Sequence, residues 1–220
     1  MEASKIKIAY WGMKGRGEVL RHIAAYTGLD FENKLYTDPN EWFAKDKPLL
    51  KCEFPNLPYV LDGDVVVTES DACVLYLIHK SKKLDLLGTN AEEIVHLAQI
   101  NGVLNDSLNA LVKISGNKEL SEADLAKGIL DNVGPKITAL AKHLGSKEWF
   151  LGRITVVDFF FVQLLKLLAI NSTIVKDLNL CDYIRRYDEL PAIKAYTNSD
   201  KDVKGPFPTP PYINAHFKLG

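Results

Sequence analysis

Residues 53–70 read EFPNLPYVLDGDVVVTES, and this stretch decides the fold. Pro58 closes a loop just before the apolar run Tyr59, Val60 and Leu61, so it marks a sharp, rigid change of direction ahead of a short strand. Asp62, Gly63 and Asp64 carry turn chemistry, and Val65, Val66 and Val67 return as a second strand. Thr68, Glu69 and Ser70 lead into a helix expected from Asp71, with Ser70 as its N-cap. A helix N-terminus tipped by a small hydroxyl is a ready anion site, because its first amides have no partner within the helix.

The chain before this stretch supplies the neighbours of the hairpin. KIKIAYW (residues 5–11) alternates as a strand, Gly12, Gly15 and Gly17 break it, and Glu18 to Ile23 take up helical spacing as far as Gly28. Phe31 to Thr37 reads as a second strand, and Asp38, Pro39 and Asn40 open a short helix around Trp42. With a helix over 71–82, residues 1–82 make a βαβ then a ββα unit.

Beyond a linker at 83–90 the period changes to that of helices, over 91–220. Asn90 with Glu93, Ser121 with Asp124, and Thr155 with Asp158 are three capping-box patterns. Gly134 and Pro135 are expected to kink the second of these helices. The apolar run Phe159 to Ile170 reads as a buried central helix, Pro191 opens a last helix over 191–197, and GPFPTPPYINAHFKLG is expected to lie over the surface. The fold class is α+β/α, a small α/β domain followed by an all-helical one.

Composition narrows the partners. A chain of 220 residues buries roughly 70% of the surface it exposes when unfolded, enough for a core without staples. Its 27 basic and 28 acidic residues leave a net charge of -1, which gives no long-range pull on nucleic acid or an anionic membrane. Cys52, Cys73 and Cys181 are odd in number, lack CxxC spacing and fit buried thiols in a reducing compartment. No apolar stretch suits a signal peptide or a membrane span, and the expected location is cytoplasmic. His22, His79, His96, His143 and His216 have no metal-ligand spacing, so no metal is expected.

AYWGMKGRGEVLR, EFPNLPYVLDG, VTESDA and WFLGRITVVDF together resemble, in the same order, the segments that define cytosolic glutathione transferases. The resemblance covers nearly the whole chain. YW, Trp42 and FPNLPY are most similar to the mu class, while GRGE is closer to the alpha and sigma classes. It implies a thioredoxin-like first domain, a homodimer, glutathione as co-substrate and hydrophobic electrophilic small molecules as second substrates.

The resemblance also implies roles for residues. Tyr10 is the catalytic hydroxyl, and Arg16 matches the thiolate-stabilising arginine of alpha-like enzymes. Leu57, before Pro58, pairs its backbone with the cysteinyl part of glutathione, and the family's proline is cis. Glu69 and Ser70 face the γ-glutamyl end, with Glu69 standing where mu enzymes usually have Gln. Trp11, Trp42, Asn56 and Lys47 grip the rest of the peptide, with Lys45 a competing choice for Lys47 because the spacing differs by one. The family's aspartate given to the partner subunit's ligand aligns with Asn105, and the adjacent Asp106 is the carboxylate that could take its role. A thiol of pKa near 8.5 is mostly protonated at pH 7, and lowering it by about two units takes roughly 2.7 kcal/mol, within reach of one aimed hydroxyl and one cation.

The function so implied is conjugation of the glutathione thiolate to hydrophobic electrophiles, in detoxification. GRGE keeps open a glutathione-dependent isomerase of the prostaglandin D synthase kind, and a non-catalytic ligand-binding or structural homologue is a third reading.

Overall fold

The computed structural model describes residues 5–117, 119–171 and 173–203. The expected course of the proline-rich tail falls outside these residues. The described chain divides into two compact units, residues 5–83 with 190–203, and residues 84–189.

In the first unit, β1 (Ile6–Trp11), α1 (Gly15–Thr27) and β2 (Phe31–Tyr36) form the βαβ part. A π-helical turn (Glu41–Asp46) and a 3-10 turn (Lys47–Leu49) follow, then β3 (Tyr59–Asp62), β4 (Val65–Thr68) and α2 (Ser70–Ser81). The sheet order is β2-β1-β3-β4. β1 runs parallel to β2, from Ile6↔Phe31 to Trp11↔Tyr36, and antiparallel to β3, from Lys7↔Leu61 to Ala9↔Tyr59. β3 and β4 close a hairpin at Asp62↔Val65. This is the thioredoxin-like arrangement with a four-stranded mixed sheet.

As one of the two interior strands, β1 is covered on both faces, which is why Ala9 is buried as well as Ile6, Ile8 and Tyr10. On one face Ala9 meets a cluster of Tyr36, Trp42 and Tyr59. The Trp42 ring stacks on Tyr59 at 5.9 Å and 26° and meets Tyr36 edge-on at 5.4 Å.

The second unit begins with a 3-10 turn (Leu84–Leu87) inside the expected linker and continues through α3 (Ala91–Ser115), α4 (Glu122–Asn132) and α5 (Gly134–Leu144). α6 (Val156–Asn171), α7 (Ile174–Asp177) and α8 (Cys181–Asp188) complete it. The Asn90 and Ser121 side chains accept the amides of Glu93 and Asp124, as the capping patterns require. Gly134 and Pro135 do more than kink a helix: the chain breaks at Val133 into α4 and α5, since Pro135 has no N–H to continue the ladder. α6 is buried nearly all round, through Val157, Phe159, Phe161, Leu165 and Leu168. Its buried Asp158 accepts the Thr155 amide at 2.6 Å, the Thr155 hydroxyl at 2.8 Å, the Phe150 amide at 3.2 Å and the Tyr183 hydroxyl.

α9 (Pro191–Thr197) corrects the expected domain content, because it packs on α1 in the first unit rather than among the helices. Tyr196 meets His22 edge-on at 5.3 Å, Lys201 pairs with Asp30 at 2.8 Å, and Asn33 donates to the Lys201 carbonyl at 2.8 Å. The cysteines also divide: Cys73 is buried, Cys52 half-buried and Cys181 exposed.

Candidate functional site

Register gathers the candidate residues at one end of the sheet. One residue beyond the pairs Ala9↔Tyr59 and Tyr59↔Thr68 lie Tyr10 on β1, Pro58 before β3 and Glu69 after β4. The first strand therefore delivers Tyr10 to the same edge at which the 53–70 loop meets α2.

Tyr10 is 7% exposed, and its ring lies against bare backbone. A Cβ on Gly17 would stand 2.7 Å from Tyr10 Cβ, and one on Gly15 would stand 2.9 Å from Tyr10 Cε1 and 3.1 Å from its hydroxyl. Only glycine lets the first turn of α1 approach the ring so closely, and Gly15 also adopts φ +40. Burial raises the Tyr10 pKa above its ordinary 10.0, while the Arg16 backbone N–H and the charges of Arg16 and Arg21 pull the other way. Burial wins, so at neutral pH the hydroxyl is a proton-bearing donor. The half-buried Arg16 enters the site through its backbone amide and its charge.

Arg21 was not among the candidates from sequence. It is fully buried, donates to the Met13 carbonyl at 2.9 Å and pairs with Glu18 at 3.0 Å, so it fixes the turn between β1 and α1. An Arg three residues after a Glu is also what a solvated helix face looks like. The signal that could have found it is the apolar setting of GEVLRHIAA.

The Leu57–Pro58 peptide bond is cis. Asn56 bridges the loop to the helix: its oxygen accepts the Leu57 amide at 2.9 Å and its amide donates to Glu69 Oε1 at 2.9 Å. Glu69 and Ser70 are each displaced by one position from expectation. α2 begins at Ser70, and Glu69 is the N-cap residue, at φ 67 and ψ 128 with no side-chain capping bond. Positive φ in a residue with a Cβ is costly, and such strain concentrates at functional sites. The Cys73 amide bonds to the Glu69 carbonyl at 2.9 Å, while burial pushes the Cys73 thiol up to about 12, which removes it from thiolate chemistry.

Other candidates lie further out. Trp11 is half-buried and packs against Phe43 at 5.9 Å, whereas Trp42, at 2% exposure, is first a core residue of its unit. The half-buried Lys47 stands 5.7 Å over the Phe43 ring, and Lys45 is exposed. Asp106 lies exposed on α3 in the second unit, paired with Lys136 at 3.0 Å. Among the described residues no three His, Cys, Asp or Glu side chains are gathered as a metal would need.

The site is thus a neutral phenol at the start of α1 beside a cis-proline loop and the start of α2. That arrangement can hold an extended peptide with anionic ends and stabilise a developing anion near Tyr10.

The chain is similar to known proteins over most of its length. The models described as Glutathione S-transferase, N-terminal domain, and Glutathione S-transferase, C-terminal domain, match residues 6–79 and 105–200. Glutathione S-transferase Mu 1 of Homo sapiens is 31% identical over 209 residues, covering 90% of this chain and 93% of that protein. Glutathione S-transferase Mu 1 of Bos taurus is 29% identical, with the same coverage of each. The solved structure of the glutathione S-transferase Blo t 8 superposes with a TM-score of 0.73 at 28% identity, covering 89% of this chain and 93% of that one. Rat hPGDS complexed with a quinoline superposes with a TM-score of 0.70 at 25% identity, covering 88% and 96%.

Proposed function

The chain belongs to the glutathione S-transferase family, and on that premise we propose that it activates the glutathione thiol with Tyr10 and transfers the thiolate to hydrophobic electrophiles. The observation that carries this reading is the register that brings Tyr10, Pro58 and Glu69 to one sheet end. The Leu57 backbone meets the cysteinyl portion of glutathione, and Ser70 with the first amides of α2 holds the γ-glutamyl carboxylate. Glu69 answers the ammonium, while Trp11, Trp42, Lys47 and Asn56 frame the remainder. Tyr10, kept protonated by burial, donates to the thiolate, and the positive ends of α1 and Arg16 add to the potential there.

A homodimer is part of the proposal. Phe54 and Leu49 are 69% and 77% exposed in the first unit, apolar area that a second copy would cover. Asp106, next to Asn105 at the aligned family position, is the carboxylate proposed to reach the neighbouring subunit's ligand. A role in detoxification and a cytoplasmic location follow the same family reading.

The test is conjugation of glutathione to an aryl halide by the parent protein and by Tyr10→Phe. Undiminished activity in the variant overturns the assignment. Similarity to rat hPGDS favours a second reading, glutathione-dependent isomerisation of a prostaglandin endoperoxide. Turnover of the endoperoxide with weak aryl halide conjugation would select it.

A further inference from the structure

We propose that His96 and His143 form a site for one late first-row divalent ion, Cu2+ or Ni2+, between α3 and α5. Their Nε2 atoms converge to 2.9 Å from two different helices, and their rings meet at 60° with centroids 4.7 Å apart. An ion about 2.0–2.1 Å from each nitrogen would see this 2.9 Å pair at roughly 90°, the cis angle of square-planar or octahedral coordination. A tetrahedral ion would need the nitrogens about 3.3–3.4 Å apart. The geometry therefore favours Cu2+ and Ni2+ over Zn2+, in agreement with the affinity order for imidazole sites.

One ring is braced and the other borders open space. His143 stacks on the buried Phe150 at 12° and 6.1 Å between centroids, which fixes its plane. His96 shares the wall of an open cavity of about 480 Å³ with Ala91, Glu92, Val95 and Gln99. That space can hold the waters that complete the shell, and Glu92 lines it one helical turn from His96. Without an ion, one Nε2–H donates to the other Nε2. On binding, the donor ring passes to its Nδ1–H tautomer by proton exchange with solvent, so both Nε2 lone pairs face the ion and no net proton is released.

The test titrates Ni2+ into the full, untagged chain by calorimetry and records the electron paramagnetic resonance spectrum with one equivalent of Cu2+, both without glutathione. Expected are one ion per chain and hyperfine splitting from two nitrogens, lost in His96→Gln and in His143→Gln and kept in His79→Gln. Circular dichroism and aryl halide conjugation equal to the parent verify that the variants fold. In the parent protein, one equivalent of ion should also shield His96 and His143 together from acylation by diethyl pyrocarbonate, read by mass spectrometry. Absence of stoichiometric binding, survival of the site in the double variant, or unshielded histidines overturns the proposal.

Discussion

Asn56 donates its side-chain amide to Oε1 of Glu69 across 2.9 Å. With its other end Asn56 receives the Leu57 amide, so one side chain locks the cis-proline loop to the first turn of α2. Glu69 holds this position at φ 67, a conformation that costs a residue with a Cβ about 1–3 kcal/mol. Two substitutions separate the backbone from the side chain. Glu69→Ala loses the contact and keeps the strain; Glu69→Gly loses the contact and relieves it. Both are expected to raise the KM for glutathione about tenfold with kcat nearly kept, whereas Glu69→Gly is expected to be more stable than Glu69→Ala by about 1 kcal/mol. Steady-state kinetics and urea denaturation check the pair, and equal stabilities would refute the strain.

Tyr10→Phe removes the hydroxyl proposed to donate to the thiolate and is expected to lower kcat about 100-fold. The pH dependence should change in a defined direction. Burial raises the Tyr10 pKa above 10.0, so the donor keeps its proton as pH climbs and no alkaline loss of rate is expected below pH 10. In the variant, the pH at which the bound thiol ionises should move up toward the ordinary thiol value of about 8.5. Ultraviolet titration of the bound thiolate reads this shift directly.

Gly17→Ala places a methyl 2.7 Å from Tyr10 Cβ. At that separation the helix or the strand must shift, so the substitution is expected to cost about 1–3 kcal/mol and to lower kcat by displacing the hydroxyl. Gly102→Ala is the control, since a Cβ at Gly102 in α3 meets nothing within 4 Å. It should gain about 0.5–1 kcal/mol and leave kinetics unchanged. Calorimetric melting of the two variants distinguishes the outcomes.

Glu18 links the site to acid stability. Burial would raise its pKa, but the hydrogen bond from His22 and the charges of His22, Arg21 and Lys14 outweigh this and bring it from 4.5 to about 2. A carboxyl that is a stronger acid folded than unfolded contributes its stabilisation fully above pH 4.5, and loses it as pH falls toward 2. Glu18→Gln is expected to cost about 3–5 kcal/mol at pH 7, because it leaves the buried Arg21 guanidinium without the carboxylate that neutralises it. The same variant should show a flatter acid limb in denaturation curves recorded from pH 5 to 2.

Phe54→Ser removes the aromatic side chain that stands 69% exposed beside the loop. Light scattering after size exclusion should show the parent as a dimer and the variant shifted toward monomer, with its fold retained by circular dichroism. A variant that stays dimeric at the same concentrations removes Phe54 from the interface.

Elements were legible where a local rule acts alone. The strand, turn and helix order followed from alternation and glycine placement, and the capping residues Asn90, Ser121 and Thr155 stood where their side chains are used. Three features escaped because their cause is tertiary. Glu18 and Arg21 have the spacing of a surface pair, and tertiary packing on α1, that of α9 included, makes them interior. Ser70 has the chemistry of an N-cap, yet the helix takes it as its first residue because β4 and Asn56 hold Glu69 in the turn. Cys181 sits in the same apolar setting as a core thiol, but opens α8 on its solvent side.

The return of residues 190–203 to the first unit makes that unit discontinuous in sequence. In topological terms the helical unit is an insertion between two halves of the other. A fragment ending at Lys83 would uncover α1, leaving His22 without Tyr196 and Asp30 without Lys201. Chimaeras that exchange the helical unit between relatives therefore need two junctions, near 83 and near 190, and a single crossover at the first would carry away the cover of the helix on which Tyr10 leans.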